Sequence, residues 1–459
     1  MRIIRKIRES NGLKKIKRRL TSSQVIILGY AATILIGTLL LCLPFASKGT
    51  GGASFSDALF TSASAVCVTG LVVRDTATYW TTFGHAVILL LIQIGGVGVV
   101  TLAVTFTVFA GKKLRLSGQA TMQESVSAED GVGAWKYAKF ILCVALCTEA
   151  AGMILLLPAF CGRFGAKGIW YAFFHAVSAY CNAGFDLMGA ETGQFSSLGG
   201  FVSSPLVNIT ISLLILCGGL GFSVWGDVFT KKKVKRYGVQ SKIVLSFTFF
   251  LILVPSLYFY FAEFSSEAWK ETLSGGERVL ASLFQSVSPR TAGFNTVDYA
   301  KMSEAGRAVT IVLMMIGGSS GSTAGGMKIT TVAVLLFSAV SVFRKRKEVR
   351  CFGRRIEEDT VKQAATISFL YILLFAAGGI AISAIEDLPV LDCLFESASA
   401  VATVGLTVGI TSTLSLASRL ILIFLMYFGR VGGLTLLTAV LFGRKTEDGR
   451  LPVCTIAVG

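Results

Sequence analysis

Four short strings in this chain carry the residue types needed to strip and hold a cation: Cys67-Val68-Thr69-Gly70, Cys181-Asn182-Ala183-Gly184, Thr291-Ala292-Gly293 and Thr403-Val404-Gly405. Each ends a segment opened by a phenylalanine. The segments read FTSASAVCVTGL, FHAVSAYCNAGF, FQSVSPRTAGF and FESASAVATVGL. Phe-to-Gly spacing is ten residues in three copies and nine in the third, and successive glycines lie 114, 109 and 112 residues apart. A fourfold internal period of this kind outranks any local propensity. The turns offer backbone carbonyls, the hydroxyls of Thr69, Thr291 and Thr403, and the Asn182 amide. Rings of such groups replace the hydration shell of a weakly hydrated monovalent cation. Glycine suits a carbonyl-lined turn because a side chain obstructs the backbone conformations needed. A plain helix cap would also explain a single glycine, but not four at a regular period.

The turns need elements that aim them at one point. The chain divides into quarters, each with a long apolar span, a half-span of about a dozen residues, the turn, and a second span. The first spans are read at 25–45, 137–160, 242–264 and 362–385, and the half-spans at 55–66, 168–180, 277–288 and 389–402. The second spans are read at 83–110, 205–229, 307–343 and 418–442. A half-span covers roughly 18 Å as helix, too short for about 30 Å of hydrocarbon. An amphipathic loop on the surface is the rival reading. A segment that returns through a glycine turn to the same side is tolerated at depth only when buried in protein or lining water. Helix C-termini carry partial negative charge, so four aimed at one axis favour a cation. The expected fold is an all-α membrane protein. It has four parallel repeats of span, pore helix and span (M1-P-M2), eight transmembrane helices and four re-entrant pore helices around one central pore. Its divisions are a basic arm (1–23), repeats at 24–111, 137–230, 241–343 and 362–443, and a tail (444–459).

Composition agrees with a polytopic membrane protein: 459 residues, 53% hydrophobic, 15% charged, mean hydropathy +0.70. The net charge of +17 sits mainly in the N-terminal arm, the C-terminal tail and alternate loops at 112–139, 231–242 and 344–362. That distribution places both termini and those loops in the cytoplasm, near anionic lipid, and gives no support to nucleic-acid binding. The first apolar run is longer than a signal-peptide core and is read as an uncleaved span.

The last span of the third quarter, 307–343, would be about 55 Å long as one helix. Its middle, Gly317-Gly318-Ser319-Ser320-Gly321-Ser322-Thr323-Ala324-Gly325-Gly326, breaks helix at mid-membrane depth. Irregular backbone there must line a cavity, so 317–327 is read as an intramembrane gate loop. Lys328 and Arg430 are intramembrane charges and therefore functional candidates. Snorkelling or carbonyl pairing is the competing account of Arg430, and water exposed by the break that of Lys328. Glu149 is a candidate partner for a buried cation. Enzyme readings fail. Gly318-Ser319-Ser320-Gly321 imitates an intramembrane serine protease, but the two histidines, His85 and His175, fall near the outer face, away from Ser320. Met327 interrupts a phosphate-loop match ending at Lys328.

On the strings RTAGFN, CNAGF and ATVGLT, the chain resembles the Trk, Ktr and plant HKT superfamily of K⁺ transporters over essentially residues 20–459. Eight spans without an added N-terminal pair resemble the Ktr membrane-subunit (KtrB) branch more than the longer Trk type. The resemblance implies a K⁺ ion in the filter, Na⁺ as a candidate regulator and no organic cofactor in this chain. It places the Gly/Ser loop and Arg430 as obstructions below the filter. It implies a homodimer in a bacterial plasma membrane, seated on a cytosolic RCK-type (KtrA-like) ring that binds adenine nucleotides. The apolar tail, Thr455–Gly459 included, would dock at the dimer interface. One glycine per filter string predicts fewer ion sites and looser K⁺/Na⁺ discrimination than in tetrameric K⁺ channels. A Na⁺- or H⁺-coupled secondary K⁺ transporter is the alternative function.

Overall fold

The computed structural model describes residues 21–49, 51–99, 101, 102, 104, 105, 134–433 and 435. The arm at 1–20, most of the 112–139 loop and the tail with Thr455–Gly459 lie outside the described residues.

Four helices are long and apolar enough to cross a membrane among the described residues. They are α1 (Ser22–Leu41), α4 (Ala134–Phe164), α8 (Val239–Tyr258, extended by a π-helical turn Phe259–Glu263) and α12 (Glu358–Glu386). Their apolar residues are only partly used inside the protein. Leu35, Leu39, Ile154, Phe249, Phe250, Phe369 and Ile372 are exposed, as expected of surfaces facing hydrocarbon. The chain is a multi-pass membrane protein.

Four short helices match the expected half-spans to within two residues at each end: α2 (Phe55–Cys67), α5 (Lys167–Tyr180), α9 (Gly275–Val287) and α13 (Val390–Val401). Local chemistry starts two of them. Ser54 accepts a hydrogen bond from Asp57 N at the start of α2, and Ser274 and Glu277 form a reciprocal capping box on α9. Their second halves are buried almost completely, with Ala, Ser and Cys letting neighbours come close.

The remaining helices depart from the sequence reading. Three of the four second spans were expected to be continuous. Instead all four break. The segments are α3 (Thr82–Val97), α6 (Pro205–Gly219) with α7 (Phe222–Lys231), α10 (Glu304–Met315) with α11 (Ile329–Phe343), and α14 (Leu416–Val431). The bend between α6 and α7 is 93°. The break residues are Gly98, Gly221 and Gly432, with φ of 97°, 88° and 89°, a region that favours glycine. In the third quarter the break widens into the Gly/Ser loop.

Packing is cyclic. α3 packs on α5, α6 on α9, α10 on α13, and α14 on α2. The last contact joins the end of the chain to its beginning. Buried Asp57 fastens the same junction, accepting from Arg74 Nε and Arg419 Nη1, each at 3.0 Å. Arg307 and Asp392 pair at 2.5 Å between the third and fourth quarters. On the basic side, β1 (Arg350–Cys351) and β2 (Arg354–Arg355) form a small antiparallel hairpin.

Candidate functional site

The four glycine turns meet at the centre of this arrangement. A Cβ built on Gly70 would stand 2.5 Å from Ala183 O and 3.1 Å from Gly184 Cα. One on Gly184 would lie 2.8 Å from both Ala292 O and Gly293 Cα. One on Gly293 would lie 2.5 Å from Val404 O, and one on Gly405 would collide with Thr69 O, 2.9 Å from Gly70 Cα. The order 70, 184, 293, 405 and back to 70 is a closed ring. The residue before each glycine, Thr69, Ala183, Ala292 or Val404, sets its carbonyl oxygen against the preceding glycine of the ring.

The backbone repeats with the sequence. The residue two before each glycine is left-handed, with φ of 56° at Val68, 59° at Asn182, 68° at Thr291 and 52° at Thr403. The glycines have φ of 95°, 70°, 80° and 92°. Three of the four non-glycine residues are β-branched, for which this conformation is a genuine outlier. Strain repeated at four equivalent positions points to function. The hydroxyls of Thr69 and Thr403 are buried and have no hydrogen-bond partner in the protein, although buried polar groups are usually satisfied. The Asn182 amide is best satisfied with its nitrogen donating to Ala179 O and Ile215 O at 3.0 and 3.1 Å. Its oxygen then turns toward the Thr291 hydroxyl. Cys67 and Cys181 are buried at the ends of α2 and α5.

A serine four residues after each phenylalanine braces the turn, and sequence reasoning missed it. Ser64 Oγ accepts from Gly70 N and Ser399 Oγ from Gly405 N, both at 3.0 Å. Ser178 Oγ donates to Phe185 O at 2.7 Å, and Ser288 Oγ donates to Phe294 O. The serines stand at the same place in all four quoted strings, so the signal was available. Glu396, also missed, accepts from Thr407 Oγ1, Val408 N and Thr411 Oγ1 at 2.5, 3.2 and 2.7 Å. It thereby fixes the loop that leaves the fourth turn.

On the side away from the Gly/Ser loop the four glycines floor a cavity of about 50 Å³ whose walls include Asp75, Asp186, Asn295 and Thr407. Burial pushes the Asp186 carboxyl up to about 7, and the Asp75 carboxylate adds to the rise against the hydrogen bond from Met188 N.

On the other side of the turns lies the Gly/Ser loop. Ser319 N and Thr323 N donate to Gly219 O and Gly218 O at 2.9 and 3.2 Å. Thr323 Oγ1 donates to Tyr180 O at 3.1 Å, immediately before the second turn. Gly326 N donates to Gly429 O at 3.2 Å, and Gly321 O accepts from Phe222 N at 2.8 Å. Gly317 and Ile329 close the base of the loop through Met327 O and Gly318 O. Within it, Ser322 Oγ donates to Ser319 O at 2.6 Å, and a Cβ on Gly325 would run into the Thr403 hydroxyl. Ser320 has a partner of its own, while His85 and His175 bond the carbonyls of Thr76 and Tyr171. Lys328 Nζ donates back to Ala324 O at 2.7 Å. Arg430 donates to Thr323 O in the loop and to Gly95 O, with Gly96 O at 3.3 Å. The two cations thus clamp the loop through carbonyls. Glu149, a candidate partner for a buried cation whose pairing the sequence left open, has neutral partners: Gln93 Nε2 at 3.0 and 3.3 Å and Cys181 Sγ at 3.9 Å.

A second repeat went unread in the sequence. Gly95-Gly96-Val97-Gly98, Gly218-Gly219-Leu220-Gly221 and Gly429-Arg430-Val431-Gly432 end α3, α6 and α14 alike. The first glycine of each lies against the carbonyl of Val66, Tyr180 or Val401, so close that a Cβ would overlap it. Arg430 stands where the other two copies have glycine.

Comparison with known proteins shows the family. The family described as TrkH, cation transport protein, matches residues 17–447. The potassium/sodium uptake protein NtpJ of Enterococcus hirae is 39% identical, covering 97% of this chain and 99% of that protein. The Ktr system potassium uptake protein B of Bacillus subtilis is 37% identical, covering 94% of this chain and 95% of that protein. Among solved structures, the potassium transporter TrkH from Vibrio parahaemolyticus superposes with a TM-score of 0.73 at 20% identity. That match covers 94% of this chain and 86% of that one, a likeness of fold. The named relatives are transport proteins, not enzymes.

Proposed function

Because the chain belongs to the TrkH family of cation transport proteins, we propose that it is the ion-translocating membrane subunit of a potassium uptake system. K⁺ passes in channel-like fashion through the ring of four turns, and the Gly/Ser loop with Arg430 and Lys328 gates the path. The observation that carries this reading is the closed ring of Gly70, Gly184, Gly293 and Gly405, with a carbonyl set against each glycine. Carbonyls and unpartnered threonine hydroxyls are the donor set that substitutes for water around K⁺. The C-terminal ends of α2, α5, α9 and α13 add partial negative charge.

Four parallel M1-P-M2 repeats account for the cyclic packing, each quarter's second segment covering the next quarter's short helix. The loop obstructs because it is hydrogen-bonded to the ends of α6 and α14 directly beneath the ring, and Arg430 adds a positive charge to the barrier. Regulation follows the relatives' naming as parts of Ktr systems. The chain would work as a homodimer in a bacterial plasma membrane, termini in the cytoplasm, on an RCK-type ring that binds adenine nucleotides. The name of the E. hirae relative joins potassium to sodium, and this favours keeping Na⁺-coupled K⁺ transport as the second reading. Proteoliposome uptake of K⁺ and Na⁺ separates the two. Selective flux without a coupling gradient, less selective in Gly405→Ser and faster after deletion of 317–326, supports conduction. Flux that requires a Na⁺ or H⁺ gradient and ignores both changes supports coupled transport.

A further inference from the structure

Glu149 is a buried carboxyl that the conduction reading does not use. It sits on α4, yet its hydrogen bonds go to two other elements. Gln93, on the last turn but one of α3, donates its amide to both carboxyl oxygens. Cys181, the residue that ends α5 and opens the second turn, directs its thiol at Glu149 Oε1 and at Gln93 Oε1, the latter at 3.5 Å. The cluster has no slack. A Cβ on Gly96 would stand 2.6 Å from Cys181 Sγ, so the end of α3 is pressed against the start of the second turn. At the same place, Gly95 O and Gly96 O receive the Arg430 guanidinium. The same four-residue stretch of α3, Gln93 to Gly96, therefore meets Glu149, the second turn and the gate cation.

The geometry points to Glu149 as a positioning residue for cation selection: through Gln93 and Cys181 it fixes the second turn, and through the end of α3 it ties that turn to Arg430. This inference rests on the conduction reading. Each partner donates to the carboxyl, so its removal leaves the Gln93 amide without an acceptor in a buried site and the Cys181 thiol with Gln93 Oε1 alone. The turn they hold then loses its lateral support, and Asn182, Ala183 and Gly184 move with Cys181. Small shifts matter here because a ring of carbonyls discriminates between ions by position and number of ligands.

The test uses the full chain in proteoliposomes, with K⁺ and Na⁺ uptake measured over a range of concentrations for wild type, Glu149→Ala, Glu149→Gln and Gln93→Ala. The expected result is a three- to tenfold fall in K⁺/Na⁺ discrimination in Glu149→Ala and Gln93→Ala. Glu149→Gln, which keeps an acceptor of the same shape, should stay nearer wild type. If Glu149→Ala does not fold, Gln93→Ala reads the same link from its other end. A folded Glu149→Ala or Gln93→Ala whose maximal flux changes while its discrimination stays at the wild-type value overturns the inference. So does one unchanged in both. Gly405→Ser distinguishes the two levels of failure. If it alters discrimination while the Glu149 and Gln93 variants do not, only this inference falls. If wild type conducts no K⁺, the conduction reading falls and takes the inference with it.

Discussion

Replacing Gly184 with alanine is the sharpest perturbation of the ring. Gly184 has φ of +70°, where an alanine costs about 1–2 kcal/mol relative to its ordinary conformations. Its new Cβ would stand 2.8 Å from Ala292 O, 2.8 Å from Gly293 Cα and 3.1 Å from Gly293 C. All three are backbone atoms of the neighbouring turn, so no flexible side chain can move aside. That turn must shift by several tenths of an ångström, an overpacking that costs about 1–3 kcal/mol. The sum, about 2–5 kcal/mol, is below the stability of many folded chains, so the variant should fold with a deformed ring. A change of about 1.4 kcal/mol in the preference for one ion over another is a factor of ten. K⁺/Na⁺ discrimination in proteoliposomes should therefore fall by about tenfold. Gly409→Ala is the matched control. It has φ of +99° and no atom within 4 Å of an added Cβ, so it carries the conformational cost without the collision. It should lower the melting temperature in detergent and leave discrimination intact. A Gly184→Ala protein that selects ions as wild type does, with a melting temperature like that of Gly409→Ala, would refute the reasoning.

Three further outcomes follow from the same geometry. Because Asp186 is raised to about 7, its carboxyl is protonated below that pH and charged above it. K⁺ uptake at low external K⁺ should rise as the outer pH goes from 6 to 8, and Asp186→Asn should flatten that rise; an unchanged profile in the variant removes Asp186 as the cause. Ser399→Ala leaves the buried Gly405 N without its acceptor, a loss of about 1–3 kcal/mol. The half-saturating K⁺ concentration should rise several-fold while Ser415→Ala, outside the ring, should not change it. Asp57→Ala removes the carboxylate that pairs with Arg419 at the junction of the first and fourth quarters and leaves the guanidinium its bonds to Leu414 O and Ser412 O. The loss therefore falls below the ~3–5 kcal/mol of a fully broken buried pair. Thermal unfolding in detergent should show the loss, and a melting temperature within a degree of wild type would deny Asp57 its closing role.

Much of the site was legible in the chain because it is written four times. The Phe-to-Gly strings, the small residues within them and their near-constant period located α2, α5, α9 and α13 to within two residues. The glycine and serine density at 317–326 located the break between α10 and α11. These are local signals: the turn needs left-handed backbone, the close approach needs small residues, and both requirements fall within a dozen positions. The same signal was present but unread at Ser64, Ser178, Ser288 and Ser399, which share one register in the four strings.

Tertiary contacts decided the rest. The second segments of the first, second and fourth quarters look like ordinary apolar spans, with glycines that a long helix tolerates. Gly95, Gly218 and Gly429 are glycine because each lies against a carbonyl of Val66, Tyr180 or Val401, contacts that exist only after the quarters pack. Arg430 finds Gly95 O across 335 residues of sequence, and Arg419 finds Asp57 across 362. Glu149 is a lone carboxyl in an apolar stretch until α3 and α5 bring Gln93 and Cys181 to it. Composition and period determined which elements this chain forms and where the proposed cation ligands lie along it. Which quarter meets which, and what each buried polar group touches, depends on the closure of the ring, because only packing brings together groups that no local pattern connects.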